Sequence, residues 1–113
     1  MSTPENNLRL DYIEFATRDV AAVAKFYAAA FGWKFTDYGP DYTSFEDGRL
    51  QGGFTVEGRL PLVVLYASDL AACEKRVRAA GGTIAKPIFD FPGGRRFHFT
   101  DPSGNELAVW WDK

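Results

Sequence analysis

A repeat with a period of 50 residues constrains this chain more than any other feature. Asp19 and Asp69, Val20 and Leu70, Ala21 and Ala71, Ala30 and Ala80, and Gly32 and Gly82 each stand 50 positions apart. Any one of these matches is cheap. Together they fall at the same places in the same succession of elements, which marks a duplicated module. In each copy a strand pattern leads to an Asp, the Asp opens an apolar-periodic run, glycine closes it, and three short strand patterns follow.

In the first copy, residues 8–16 alternate. Leu8, Leu10, Tyr12, Glu14 and Ala16 share one face, and Ile13 and Phe15 the other. Thr17 or Asp19 is the expected N-cap of a helix near 19–31, with Val20, Val23, Ala24, Tyr27, Ala30 and Phe31 on its apolar stripe. Strands are expected at 33–37, 42–46 and 51–56, with Asp47-Gly48 as a tight turn. The second copy gives a strand at 61–67, a helix near 69–80 and strands at 83–88, 95–100 and 106–111. The expected organisation is one α+β domain over 8–112, with module one at 8–57, module two at 60–112, a link at 58–60 and a flexible N-terminus at 1–7. Each half alone is too small for a good core, so the two should pack together.

Charge and cysteine narrow the function classes. The net charge is −2 and there is no basic run, which argues against nucleic acid or an anionic membrane as partner. No apolar stretch approaches the ~18 residues that span a bilayer, and residues 1–7 lack a signal-peptide pattern. A single cysteine, Cys73, allows no internal disulfide and fits packing in a reducing compartment. The expectation is a cytoplasmic protein.

Arg18-Asp19, Lys25-Phe26-Tyr27 and Phe31-Gly32-Trp33, with Phe99-Thr100-Asp101-Pro102-Ser103-Gly104-Asn105 near the end, resemble the vicinal-oxygen-chelate superfamily. That group includes glyoxalase I, bleomycin-resistance proteins, fosfomycin-resistance enzymes and extradiol dioxygenases. The resemblance covers about residues 8–112. It implies two tandem βαβββ modules forming curled mixed sheets around a concave site. In its enzymes a divalent metal held there chelates two neighbouring substrate oxygens as a Lewis acid.

The resemblance also locates the metal ligands. The first-strand ligand lies seven residues before the helix-opening Asp, which is Tyr12 here and Leu62 in the second module. The last-strand Glu follows the turn glycine by four, which is Ala108 here. The corresponding place in module one, four after Gly48, is Gly52, with Gln51 beside it. Leucine and alanine side chains cannot donate an electron pair, so no metal and no other cofactor is expected. Shifting the register by one would bring in Asp11 or Leu107, but would turn Ile13 and Phe15 away from the helices.

Strand alternation then fixes the inward residues. These are Tyr12, Glu14 and Ala16; Leu62, Val64 and Tyr66; Arg96, His98 and Thr100; and Glu106, Ala108 and Trp110. In fosfomycin-resistance enzymes a Tyr at the position matching His98 touches the substrate. The ligand-binding candidates are Tyr12, Glu14, Leu62, Tyr66, Arg96, His98, Ala108 and Trp110. Glu14 and His98 are the candidates for acid or base chemistry. Each has a plainer reading: Glu14 solvated or paired with Arg96, His98 structural, Arg95-Arg96 a solvated hairpin pair, and the aromatics core filling.

The leading expectation is a metal-independent small-molecule-binding protein of the bleomycin-resistance type, a homodimer whose inward Glu14 and Glu106 favour a cationic ligand. The alternatives are a metal-free lyase or isomerase using Glu14 or His98, a glyoxalase- or dioxygenase-like metalloenzyme with unrecognised ligands such as Glu14, His98 and Glu106, and a non-enzymatic interaction module.

Overall fold

A computed structural model describes residues 4–57 and 60–113. Gly58 and Arg59, most of the expected link, lie outside the described residues, as do positions 1–3. The elements follow the repeated order: β1 (Arg9–Ala16), α1 (Val20–Phe31), β2 (Lys34–Asp37), β3 (Tyr42–Glu46) and β4 (Gln51–Thr55), then β5 (Leu62–Tyr66), α2 (Leu70–Ala79), β6 (Thr83–Phe91), β7 (Gly94–Thr100) and β8 (Glu106–Trp111). The chain is α+β and forms two compact units, one of Tyr12–Leu62 and one that joins residues 4–11 to Val63–Lys113.

In the Tyr12–Leu62 unit the strands run in the order β2-β3-β4-β1, with β4 and β1 parallel and the other neighbours antiparallel. One face carries Phe15, Phe35, Phe45 and Phe54. Phe15 stacks on Phe54 at 5.3 Å, and Tyr27 from α1 stacks on Phe54 at 5.4 Å. Aromatic burial of this kind supplies much of a small unit's stability. Asp19 caps α1, its Oδ1 accepting from the Ala22 amide at 3.0 Å. Gly32 closes the helix at φ 74°, in the left-handed region that glycine enters without strain. The expected apolar stripe is only partly covered: Val20 is buried, whereas Phe31 is 64% exposed, beside Tyr27 and Trp33, which stack at 4.7 Å.

The other unit repeats the pattern in the order β5-β8-β7-β6, with β5 and β8 parallel. Asp69 caps α2 in the same way, accepting from the Ala72 amide at 3.0 Å. The core gathers Ala67, Leu70, Cys73, Phe97 and Val109 under α2. The registers correspond: Glu14 faces Gly53 as Val64 faces Ala108. β6 runs past the expected end at Ile88 to Phe91, with irregular pairing around Pro87. An edge strand tolerates a proline because its missing N–H has no partner to lose.

Of the N-terminus expected to be flexible at 1–7, residues 1–3 lie outside the described residues, and residues 4–7 make local contacts. Pro4–Asn6 form a 3-10 turn, the Leu8 amide donates to Tyr66 O at 2.7 Å, and Asn7 Oδ1 accepts from the Ser68 amide at 2.9 Å.

Candidate functional site

In the Tyr12–Leu62 unit, the face opposite the aromatic layer carries Tyr12 and Glu14 from β1 and Tyr42 from β3. The three side chains form a chain. The hydroxyls of Tyr12 and Tyr42 share a short hydrogen bond, and Tyr42 donates to Glu14 Oε2 at 3.2 Å. Burial is the main reason the Tyr12 phenol is pushed up to about 12, and burial raises Tyr42 further still. Gly53 makes the approach feasible. A Cβ there would overlap the Tyr42 hydroxyl and lie 2.7 Å from Tyr12 Oη. Glu14 is buried and accepts from the Tyr42 phenol. Leu62 is buried and apolar.

The register corrects one assignment. Gly53, not Gly52, holds in β4 the place that Ala108 holds in β8. Gly52 belongs to the helix side, where a Cβ would overlap the Phe45 ring. Counting residues from the turn glycine misplaced it by one, because the two modules turn into their last strands differently.

In the other unit, β7 and β8 align His98 with Ala108 and Arg96 with Trp110. His98 is buried and its Nδ1 lies 2.9 Å from Glu106 Oε2. Its Nε2 is buried and has no hydrogen-bond partner among the described residues. Desolvation lowers the His98 pKa, the positive charges of Arg96 and Lys86 add to this, and Glu106 opposes it. The ring is therefore neutral at neutral pH, and a carboxylate at Nδ1 favours the proton there, leaving the Nε2 lone pair as acceptor. Arg96 is not a solvated hairpin residue: its guanidinium lies over Phe89 at 5.5 Å and Phe91 at 5.0 Å. Arg95 does keep to the rim, 3.2 Å from Asp90 with both side chains largely exposed.

Tyr66 and Trp110 meet edge to face at 5.7 Å. Tyr66 donates to Asp112 at 2.9 Å, and burial, with the Asp112 and Asp11 carboxylates behind it, raises its phenol. Trp110 Nε1 donates to Asp11 Oδ2 at 2.8 Å. Asp11, set aside in the sequence reading, is thus a buried polar anchor of this face, and it also accepts from Asn6 at 2.8 Å. Tyr42 was read only as part of a strand. The signal that could have found it is the Gly52-Gly53 pair, since glycine inside a strand often marks a close approach.

The metal-ligand places of the resembled enzymes are therefore occupied by Tyr12, Gly53, Leu62 and Ala108. Two are hydrocarbon, one has no side chain, and the fourth is a neutral phenol already bonded to Tyr42. Among the described residues no three His, Cys, Asp or Glu side chains converge as a metal-binding group. This donor set does not fit the divalent ion. No described helix is long and apolar enough to cross a membrane.

Comparison with known proteins supplies the family. The chain is 34% identical to the anthracycline biosynthesis protein DauV of Streptomyces sp. (strain C5), over 88% of this chain and 45% of that one. It thus spans about half the length of the curated relatives it matches. Methylmalonyl-CoA epimerase from Mycobacterium tuberculosis has the same fold, with a TM-score of 0.72, 14% identity, and 97% of this chain and 91% of that one covered. So does the Mn(II)-bound glyoxalase from Novosphingobium aromaticivorans, with a TM-score of 0.68, 22% identity, and 91% and 38% covered. A family model matches residues 9–109, and the chain belongs to the glyoxalase/bleomycin resistance protein/dioxygenase superfamily.

Proposed function

We propose that this chain is a metal-independent protein that binds a small molecule. The observation that carries the reading is the hydrocarbon at Leu62 and Ala108, where the metalloenzymes of the superfamily place donors. Around those positions each unit offers aromatic walls and a few oriented polar groups, the usual make-up of a small-molecule site. In the Tyr12–Leu62 unit these are Tyr12 and Glu14; in the other unit, taken by itself, they are Tyr66, Arg96, His98 and Trp110. The similarity to an anthracycline biosynthesis protein supports a planar aromatic ligand. Rings such as Tyr66 and Trp110 suit stacking on one. The proposal includes a cytoplasmic homodimer; sedimentation at tens of micromolar (roughly where weak interfaces still form) tests the second part.

A second reading has its own observation. The His98–Glu106 pair presents a neutral imidazole whose Nε2 could take a proton, as a metal-free lyase or isomerase requires. Glu14 is the other candidate base. A thermal-shift screen of planar aromatic compounds, with metal analysis of the same sample, tests both readings. Binding without turnover supports the first. Turnover that survives a chelator and disappears in His98→Gln or Glu14→Gln supports the second. Stoichiometric zinc, manganese, nickel or iron that survives dialysis and is lost on mutating Glu14 or His98 would return the protein to the metalloenzymes.

A further inference from the structure

Residues 4–8 are fastened to their own unit by a few bonds, and one of these residues is strained. Among the described residues Leu8 is the one non-glycine with a positive φ, at 63°. A leucine Cβ is crowded by the backbone there, which is why glycine or asparagine is the usual occupant. The Leu8 side chain does little to offset the strain, since the residue is 43% exposed. The conformation instead places the main chain. The Leu8 amide reaches Tyr66 O at 2.7 Å, and Asn7 Oδ1 accepts from the Ser68 amide at 2.9 Å. A segment held by a few hydrogen bonds against backbone strain belongs to the low-stability end of a fold. The same segment borders a cavity of about 100 Å³. Asn7 and Leu8 line it on one side, Ser68 lines it from the chain after β5, and Cys73 and Arg76 line it from α2. Cys73 is 8% exposed, and burial raises its thiol pKa, so the group is protonated and covered while the segment is seated.

We infer that residues 4–8 are a strap that unlatches from Tyr66 and Ser68 while the rest of the fold stays intact, opening this cavity and uncovering Cys73. The strain at Leu8 poises the strap. It is released on opening, so the seated form is favoured by less than its hydrogen bonds alone would give. Every part of the device lies in the unit that joins residues 4–11 to Val63–Lys113, and it does not depend on what the protein binds. Cys73 is the reporter of the open form rather than a catalytic group.

The test is the rate at which iodoacetamide alkylates the native protein at fixed pH, in wild type, Asn7→Ala, Leu8→Pro and Asp19→Ala. Cys73 is the single cysteine, so the rate reports one site. At low reagent that rate follows the population of the open form. Asn7→Ala removes the acceptor of the Ser68 amide and is expected to speed alkylation about fivefold. Proline has no N–H to give Tyr66 O and cannot take a positive φ, so Leu8→Pro is expected to speed it about tenfold or more. Asp19 caps α1 in the Tyr12–Leu62 unit, so Asp19→Ala lowers global stability without touching the strap and is expected to leave the rate unchanged. Circular dichroism and denaturation midpoints establish that each variant is folded, and either folded strap variant suffices. Three results would each overturn the strap: wild type alkylated as fast as the protein in denaturant, a folded strap variant alkylated at the wild-type rate, or an acceleration in Asp19→Ala that matches the strap variants. Failure of both strap variants to fold would overturn it as well, because the segment would then be part of the global fold rather than a separable latch.

Discussion

His98 Nδ1 lies 2.9 Å from Glu106 Oε2, while the opposite nitrogen of the same ring is buried without a hydrogen-bond partner among the described residues. Burial is the larger influence on the ring, and the Lys86 and Arg96 charges act in the same direction, so its pKa is lowered in the folded chain. A lowered pKa means that the unfolded chain binds the proton more readily. The contribution of neutral His98 to stability is therefore complete above the ordinary histidine value of about 6.5 and is lost as pH falls toward the folded value. His98→Gln should flatten the fall of the melting temperature between pH 7 and pH 5. An imidazole that titrates above about 6.5 by NMR would contradict this account.

Gly53→Ala tests the close approach in the Tyr12–Leu62 unit. The new Cβ overlaps the Tyr42 hydroxyl, and overpacking of this kind costs about 1–3 kcal/mol. Because the severest overlap is with Tyr42 and only the Tyr12 hydroxyl is also crowded, Tyr42→Ala in the same protein should remove most of the added penalty. Chemical denaturation of the two single variants and the double variant gives the coupling. Additive effects would show that Gly53 does not hold the Tyr12–Tyr42 contact.

The helix caps should behave as repeats. Asp19→Ala and Asp69→Ala each remove a 3.0 Å bond to a first-turn amide, and each should lower stability by about 1 kcal/mol, with Ser restoring most of it. A negligible effect at either position would mean that water replaces the cap.

Asp11→Ala removes the acceptor of both Trp110 Nε1 and Asn6. Leaving a part-buried indole N–H without its acceptor should cost about 1 kcal/mol. Trp110 fluorescence should shift as well, which a purely local loss at the N-terminus would not produce.

Much of this molecule is legible from its sequence, because the signals are local. The Asp caps, the helix-ending glycine and the alternation along β1, β7 and β8 are set by neighbours a few residues away. The same alternation placed His98, Ala108 and Trp110 on one face, and the pairing of β7 with β8 agrees. What was missed depends on partners far along the chain. Tyr42 reaches Glu14 across 28 positions and Trp110 reaches Asp11 across 99. The Gly52 error came from turn length, which residue spacing does not encode. The stacking of Arg96 on Phe89 and Phe91 depends on β6 continuing past Ile88, where the strand was expected to end.

The most direct test of metal-independent binding is a thermal-shift titration of daunorubicin against protein stripped with EDTA and kept in chelator. A ligand that binds only the folded state stabilises it by about 2.7 kcal/mol at one hundred times Kd, a rise of roughly 10 °C for a chain of this size. The account expects that rise in EDTA. A melting temperature that stays flat in chelator and climbs only after manganese or zinc is restored would contradict it.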